Sequence, residues 1–199
     1  MKTQENKVFD HSADTYDEDF SDTIIGKAQR NIVQQYLLHR ISEGWSVLEV
    51  NCGTGVDAFF LSAYHCKVLA TDASEKMISI CCEKLAQNKG TVHPEFRVLA
   101  FNELAVLQNE IKSDLIFSNF SGLNCVSNTE MAELPVMFHS LLKPGASLIA
   151  VLFGKKCIWE KLYMVLKGRF KEVNRRMSEN QAKLPGVGEL KIYYYSPTE

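Results

Sequence analysis

The chain has 199 residues, of which 46% are apolar and 23% are charged, so it can form one hydrophobic core and is not disordered. Its formal net charge of −2 gives no reason to expect binding to nucleic acid or an anionic membrane. No apolar run reaches the roughly 18–20 residues of a membrane helix, and the first ten residues contain no apolar signal core. We therefore expect a cytoplasmic protein whose six cysteines stay reduced; none is spaced as CxxC, so no metal site is expected.

Helical and strand periodicities alternate along the chain. A helix over 24–41 is predicted to bury one face, formed by Ile25, Ala28, Ile32, Tyr36 and His39 and broadened by Val33, Leu37 and Leu38. Short apolar runs predict strands at 47–50, 68–70, 96–99, 115–117 and 148–153. Helices are predicted between and after them, at 55–64, 75–88, 129–141 and about 156–168. This alternation predicts an α/β fold: a doubly wound, mainly parallel sheet, with a sharp turn at 143–145 before its fifth strand.

Three segments of one domain follow from this pattern. Residues 1–43 form an N-terminal lid and helix, residues 44–154 the sheet core, and residues 155–199 a helical, basic C-terminal segment. Residues 5–22 carry seven acids and one base, whereas residues 155–176 carry eight bases and two acids. These two runs are either solvated faces, or segments that meet each other, or a docking surface for an anionic acceptor or carrier.

A glycine-rich turn follows the first predicted strand. Gly53 and Gly55 lie between that strand and a helix, where they permit a tight turn and close approach of a ligand. Asp72 ends the second strand, where a carboxylate can accept hydrogen bonds from both hydroxyls of a ribose, although it could instead cap the next helix. Together with Glu49 just upstream of the turn, these residues indicate a ribose-containing cofactor.

Two cofactor classes fit this arrangement. The spacing Gly53-x-Gly55-x-x-Ala58 can be interpreted as a dinucleotide fingerprint, which would make the chain an NAD(P)-dependent oxidoreductase. Glu49 and Asp57, however, oppose an anionic pyrophosphate at a helix start. A cationic ligand such as S-adenosylmethionine suits these carboxylates better.

Four segments resemble the motifs of the class I S-adenosylmethionine-dependent methyltransferases. Residues 47–55 resemble motif I, 70–78 the second motif, 113–120 the fourth-strand motif, and 141–151 the turn and fifth strand. Residues 8–19 resemble the FDxxAxxYD opening of the small-molecule branch that includes ubiquinone and menaquinone methyltransferases. The resemblance covers roughly residues 8–153 with the motifs in order. It implies S-adenosylmethionine as cofactor, with S-adenosylhomocysteine (SAH) as product.

The resemblance also implies roles for individual residues. It implies contacts with the cofactor for Tyr16, Glu49, Asn51, Gly53, Gly55, Asp72, Ala73, Met77, Phe101, Asn102 and Asn119. Where the family usually has an Asp after the third strand, this chain has Asn102 followed by Glu103, so either residue could contact the adenine edge. The family also has seven strands where only five are strongly predicted here. The sequence is therefore either shortened at its C-terminus or completes its sheet differently.

Methyl transfer needs little chemistry beyond positioning, so a dedicated base is optional. The candidate catalytic residues are His11 and Tyr16 in the lid and Asn119 at the end of the fourth strand, where it would face cofactor and acceptor together. Asn124 and Cys125 could line the acceptor pocket. We expect transfer to a small-molecule acceptor without nucleic acid or a membrane span, and the oligomeric state stays open. The alternatives are the oxidoreductase and a catalytically inactive cofactor-binding protein.

Overall fold

Five parallel strands form the centre of the molecule. Their bounds are Ser46–Val50 (β1), Lys67–Asp72 (β2), Glu95–Val98 (β3), Ser113–Ser118 (β4) and Leu142–Ala150 (β5). The computed structural model describes residues 9–120, 122–177, 180–184 and 188–196, and in it the strands lie in the order β3-β2-β1-β4-β5 with all neighbours parallel. The predicted doubly wound α/β fold is confirmed.

Helices cover both faces of this sheet. The α-helices that follow the N-terminal segment are Ile24–Leu38 (α1), Val56–Ala63 (α2), Glu75–Gln87 (α3), Asn128–Leu141 (α4) and Ile158–Leu166 (α5). Because successive side chains of a strand point to opposite faces, Val47 packs in the layer formed with α1, α2 and α3. Leu48 packs in the other layer, with α4 and the 3-10 helix Phe101–Asn109. The strand order reverses between β1 and β4, which places a crevice at their carboxyl ends.

Hydroxyl side chains define where the helices around this crevice begin. Ser74 Oγ accepts the Met77 N–H at 3.1 Å at the start of α3. Ser127 Oγ accepts the Glu130 N–H at 3.3 Å at the start of α4, and the Glu130 carboxylate accepts the Ser127 N–H in return. Such caps satisfy backbone donors that have no partner inside the helix. They fix the ends of α3 and α4 that face the crevice.

The buried face of α1 differs from the predicted one. Ile25 and Ile32 were expected in the core but are each 70% exposed, and the helix ends at Leu38 rather than near residue 41. Leu37 and Val33, at the predicted broadening of that face, do pack in the core, and Arg30 is buried beside them. The reason is electrostatic. The Arg30 guanidinium is paired with the buried Asp57 carboxylate of α2, and this pair sets the rotation of α1.

The predicted turn at 143–145 is a bulge inside β5. Ser113 of β4 lies opposite Leu142, whereas Leu115 lies opposite Ser147, so the intervening residues of β5 loop out of the ladder. Pro144 is tolerated there because a bulge needs no ladder hydrogen bond from it. Gly145 adopts a φ of +78°, which favours glycine. The strand therefore begins before the turn signal instead of after it.

The N-terminal segment is helical rather than irregular. Residues 9–12 form a helical turn, followed by a 3-10 turn at Ala13–Thr15 and a π-helical turn at Asp17–Ser21. Helical types change every few residues, so no single period is sustained. This change explains why the sequence pattern did not predict a helix there.

The C-terminal residues form a hairpin and then return to the sheet. Strands Asn180–Leu184 (β6) and Gly188–Ile192 (β7) pair antiparallel as a separate two-stranded sheet. Tyr195 bridges to Gly154 just beyond β5. Asn124, expected in the acceptor pocket, is fully buried and holds this return: its amide donates to the Phe153 and Tyr193 carbonyls and accepts the Phe153 N–H. The division at residues 43 and 154 stays a prediction.

Candidate cofactor and acceptor site

A cavity of about 190 Å³ opens at the carboxyl ends of β1, β2 and β4. Most of the predicted site residues line it: Tyr16, Glu49, Asn51, Gly53, Asp72, Ala73, Met77, Phe101, Asn102 and Asn119. His11 and Gly55 do not line it. Within the described part of the chain, no group of three or more His, Cys, Asp or Glu side chains is arranged to hold a metal ion. No helix there is long and apolar enough to cross a membrane.

The glycine-rich turn uses its two glycines differently. Gly53 has a φ of +55° and lies under the ring of Tyr16, where a Cβ would stand 3.9 Å from Tyr16 Cε1. Gly55 has a φ of +80°, and a Cβ there would lie 2.9 Å from Cys81 Sγ and 3.0 Å from the Phe96 ring. Gly53 therefore borders the cavity, whereas Gly55 faces the hydrophobic core. The expectation that a ligand approaches Gly55 is corrected by this geometry.

Asp72 connects the turn to the next helix. Its Oδ2 accepts the Gly53 N–H at 2.8 Å and its Oδ1 accepts the Ser74 N–H at 2.9 Å. Burial raises the pKa of Asp72 above its ordinary value, and the hydrogen bonds from Ser74 and Gly53 oppose this shift. Because each carboxylate oxygen can accept two hydrogen bonds, both oxygens keep an acceptor site for a ligand in the cavity. Helix capping and ligand binding are therefore compatible at this position.

Glu49 is a buried carboxyl group in the cavity wall. Its side chain is 2% exposed, and Oε2 has no hydrogen-bond partner among the described residues. Burial raises its pKa well above the ordinary value; Asp57 raises the pKa further, whereas Arg30 lowers it. A buried carboxyl oxygen without a partner is costly unless a ligand completes it. The Glu49 carboxyl group can therefore bind a hydrogen-bond donor or a cation that enters the cavity.

A buried ion pair lies beside Glu49 and was not predicted. Arg30 of α1 is paired with Asp57 of α2, which also accepts hydrogen bonds from Gln34 at 3.0 Å and Asn119 at 2.8 Å. Arg30 is 9% exposed, lines the cavity, and its Nε has no partner among the described residues. The one sequence signal for this pair was the position of Arg30 within the apolar pattern of α1. The apolar pattern itself was stronger, and it predicted that Ile25 and Ile32 would be buried.

Two amides at the strand ends are held by the protein itself. Asn51, with a φ of +52°, accepts from Ser118 Oγ at 2.6 Å and donates to the Asn119 carbonyl at 2.8 Å. Asn119 donates to Asp57 and accepts the Phe120 N–H at 2.8 Å. These bonds join the ends of β1 and β4. Both amides shape the cavity, and each has a structural role that its sequence position did not reveal.

The candidate bases are not placed for proton transfer. Burial is the main reason that the pKa of Tyr16 is raised to about 12, so its hydroxyl stays protonated at neutral pH and can donate but not accept a proton. His11 is exposed and lies outside the cavity, in a shallow depression shared with Asp10, Glu75 and Lys76. The expectation that His11 faces the acceptor is therefore corrected. Tyr16 contributes a cover over the glycine turn.

After the third strand, Asn102 lines the cavity and Glu103 does not. The Glu103 carboxylate turns back to accept the Ala100 N–H at 2.9 Å, whereas Asn102 and Phe101 line the cavity with Ala73. Met77 is 1% exposed and also lines the cavity. Its side chain therefore packs in the hydrophobic core and forms part of the cavity wall.

The acidic N-terminal segment is anchored beside the cavity. Asp10 accepts from Ser74 Oγ at 2.6 Å, and Asp14 is paired with Lys76. Asp17 accepts from Thr54 Oγ1 at 2.6 Å and from Lys84. The acids therefore contact α3 and the glycine turn, and not the basic run at 155–176. Within that run, Arg169 is paired with Glu172, and Arg176 is paired with Glu160.

We expect Asp17→Ala to loosen the segment. Losing the contacts with Thr54 and Lys84 should cost about 1 kcal/mol and speed amide exchange across residues 9–22 about fivefold, measured by mass spectrometry. SAH should slow exchange over the same residues in the unsubstituted protein. The exposed Asp19, replaced by Ala, is the control. Equal exchange in both variants would contradict the anchoring.

The same contact predicts an acid-dependent opening. Burial alone would raise the pKa of Asp17, but the hydrogen bonds from Lys84 and Thr54 outweigh it and hold the pKa below its ordinary value. The stabilisation is thus present above the ordinary pKa of an aspartate and is lost as the pH falls through the lowered one. Exchange across residues 9–22 should accelerate only in acid.

Comparison with known proteins identifies the fold and the family. Residues 47–145 match the methyltransferase domain family. The structure of DhpI in complex with SAH is similar over 98% of this chain and 82% of that chain, with 19% identity and a TM-score of 0.69. An S-adenosylmethionine-dependent methyltransferase from Methanosarcina mazei is similar over 82% of this chain and 78% of that chain, with 21% identity and a TM-score of 0.62.

One curated relative adds a sequence match inside the core. The cypemycin N-terminal methyltransferase of a Streptomyces species is 37% identical over 65 residues, which are 32% of this chain and 26% of the relative. The match thus spans about a quarter of that relative's length. The branch of ubiquinone and menaquinone methyltransferases stays a prediction. With the motif order, the parallel sheet and the methyltransferase-domain match, the chain belongs to the class I S-adenosylmethionine-dependent methyltransferases.

Proposed function

We propose that the chain transfers the methyl group of S-adenosylmethionine to a small-molecule acceptor held in the same cavity. One observation carries the proposal. Glu49 presents a buried oxygen without a partner beside the glycine turn that Asp72 organises. A carboxylate at this place suits the cationic end of S-adenosylmethionine and opposes a pyrophosphate, so the oxidoreductase alternative is not favoured.

The other wall residues fit the remaining parts of the cofactor. Asp72 would accept the ribose hydroxyls, and Phe101 and Asn102 would contact the adenine. The unpartnered Nε of Arg30 would donate to the cofactor carboxylate. Tyr16 would cover the ligand from the N-terminal segment. Asp72 and Arg30 are held by hydrogen bonds to the protein, so these two groups need little reorganisation on binding.

Positioning supplies most of the catalysis in this proposal. When bound, S-adenosylmethionine supplies an activated methyl group for in-line displacement. The protein contributes the wall that aligns the acceptor, the Tyr16 cover that excludes water, and the buried pair of Arg30 and Asp57 that fixes α1 against the sheet. Neither Tyr16 nor His11 is placed as a general base, and the proposed reaction does not require one.

A small molecule is the acceptor class that these features favour. The formal net charge of −2 provides no basic surface for nucleic acid. The cavity is enclosed by the N-terminal segment on one side, which limits the size of the entering group. A flexible peptide end would also fit, and cypemycin N-terminal methyltransferase is named for such a target.

Asp72→Ala tests the proposal. We expect it to weaken SAH binding by about 1–3 kcal/mol, since ribose hydroxyls would lose a charged acceptor. Calorimetry measures this loss, and transfer of tritiated methyl to a metabolite pool measures activity. Asp114→Ala is the matched control: Asp114 also accepts a backbone N–H, from Ser46 at 2.8 Å, but at the opposite end of the sheet.

The control separates stability from binding. Both variants should lose some stability, and only Asp72→Ala should lose affinity for SAH. Unchanged SAH affinity in a folded Asp72→Ala protein would leave Asp72 as a structural carboxylate only. Binding of NAD(P) in place of SAH would overturn the proposed function.

A further inference from the structure

The charged groups of the cavity are strongly unequal in sign. Among the described lining residues, the acids are Glu49, Asp57, Asp72, Glu130 and Glu133, and the one base is Arg30. A wall with this composition attracts cations and repels anions. Glu49 and Asp57 are buried, whereas Glu130 and Glu133 are exposed. The acceptor has to enter this field next to the cofactor.

The one basic lining residue, Arg30, already has an acidic partner. The Arg30 guanidinium is paired with Asp57, and Asp57 is fixed by Gln34 and Asn119 as well. In the proposed function the remaining Nε of Arg30 serves the cofactor carboxylate. An acceptor with a carboxylate, phosphate or phosphonate would therefore find no free cation among the described lining residues. Burying such an anion without a partner is costly.

Some of the acidic lining residues have no basic partner among the described residues of the cavity. Asp57 is neutralised by Arg30, Asp72 is held by two N–H groups, and Glu49 faces the cofactor end of the cavity. Glu130 and Glu133 remain on α4, three residues apart and so on one side of the helix. Glu130 also accepts from Ser127, whereas Glu133 forms no ion pair with a described residue.

The rest of the wall suits an organic cation. Phe9, Tyr16 and Phe120 contribute aromatic rings to the cavity. A guanidinium already lies over one of these rings, with Arg30 Cζ 4.4 Å from the Phe120 centroid. Aromatic faces attract ammonium groups and their methylated products in the same manner.

From these observations, and resting on the proposed function, we propose that the methyl acceptor is an amine with an apolar or aromatic body. The bound ammonium first loses a proton to solvent at the cavity mouth. The nitrogen lone pair then forms the new N–C bond, and the C–S bond breaks with its electron pair moving to sulfur. The sulfonium becomes a neutral thioether, and the methylated nitrogen holds the positive charge.

A labelled metabolite pool tests the acceptor class. Low-molecular-weight extracts from bacterial and eukaryotic cells are separated by ion exchange into cationic, neutral and anionic fractions, and each is incubated with the full chain and tritiated S-adenosylmethionine. We expect label in the cationic fraction, and its loss when amines are first acetylated. Label in the anionic or neutral fraction overturns the inference and leaves the proposed function intact. No label in any fraction overturns both.

A probe series tests the charge preference without turnover. Binding of 2-phenylethylamine, 2-phenylethanol and phenylacetate to the SAH complex is measured by NMR titration at neutral pH. We expect the amine to bind about tenfold more tightly than the acid, and Glu133→Gln to weaken only the amine, by about threefold. The exposed Glu83 of α3, replaced by Gln, is the control. Equal or tighter binding of phenylacetate, or no binding of the amine, overturns the inference.

Discussion

Replacing Gly55 with alanine is expected to lower the free energy of unfolding by about 2–4 kcal/mol. Two costs add at this position. The φ of +80° is unfavourable for a residue with a Cβ, and that Cβ would lie 2.9 Å from Cys81 Sγ and 3.0 Å from the Phe96 ring. Both neighbours belong to the core layer under α2 and α3, so they have little room to move. Urea denaturation monitored by circular dichroism measures the loss.

Two other glycines provide matched controls. Gly44 and Gly145 have φ values of +82° and +78°, and nothing lies within 4 Å of a Cβ built at either position. Gly44→Ala and Gly145→Ala should therefore cost only the backbone term, about 1 kcal/mol each. A Gly55→Ala variant no less stable than these two would show that the core accommodates the added methyl group. Loss of SAH binding with full stability would instead mean that Gly55 contacts the ligand.

Sequence reasoning located the elements of this fold because their signals are local. The runs at β1, β2 and β4 alternate between two buried layers, and such short apolar segments separated by helices predict a parallel sheet. The same logic located Asp72 and the glycine turn, since parallel strands bring their carboxyl ends to one edge. These features depend on the order of residues along one segment.

The missed features depend on contacts between segments. Apolar periodicity placed Ile25 and Ile32 wrongly in the core, because the Arg30–Asp57 pair that orients α1 joins residues 27 positions apart. Asn124 looked like a pocket residue because its loop follows β4, yet its amide binds the backbone near residues 153 and 193. Neither partner could be inferred from a single sequence, since nothing local specifies which backbone group an amide will meet.

Residue chemistry also gave an incomplete guide to the site. His11 and Tyr16 are side chains that can act as bases, but their surroundings in the folded protein do not suit this role. Burial raises the pKa of Tyr16 to about 12, and His11 lies on the exposed side of the N-terminal segment. The resemblance of the opening motif predicted that Tyr16 lies over the cofactor site, and Tyr16 does line the cavity. Its protonation state is a property of the folded protein alone.

Glu49→Gln is expected to weaken binding of S-adenosylmethionine about tenfold while making the protein without ligand more stable at pH values above the raised pKa of Glu49. A tenfold loss corresponds to about 1.4 kcal/mol, within the range of a charged hydrogen bond in a buried site. The stability gain has a separate cause. An ionised Glu49 would be buried with one oxygen unpartnered, and a glutamine removes the charge that makes this costly.

The pH dependence follows from the direction of the pKa shift. Burial raises the pKa of Glu49, Asp57 adds to the rise, and Arg30 opposes it, with Cys81 and Asp72 as the other charged or titratable neighbours. The folded protein therefore holds the proton more tightly than the unfolded chain. The associated stability is complete below the ordinary pKa of a glutamate and is lost as the pH rises through the raised pKa. Glu49→Gln should flatten this decline, leaving the smaller slope that Asp72 contributes through its own raised pKa.

Ligand binding should show the opposite slope. A cation binds the ionised carboxylate, so the affinity of the unsubstituted protein for S-adenosylmethionine should increase as the pH rises through the raised pKa of Glu49. The Gln variant should bind weakly and with little pH dependence, and Glu83→Gln should follow the unsubstituted protein. Calorimetry in two buffers of different ionisation enthalpy counts the proton released on binding. If the Gln variant binds as tightly as the unsubstituted protein and is also less stable, Glu49 is a packing residue and its unpartnered oxygen has no ligand to complete it.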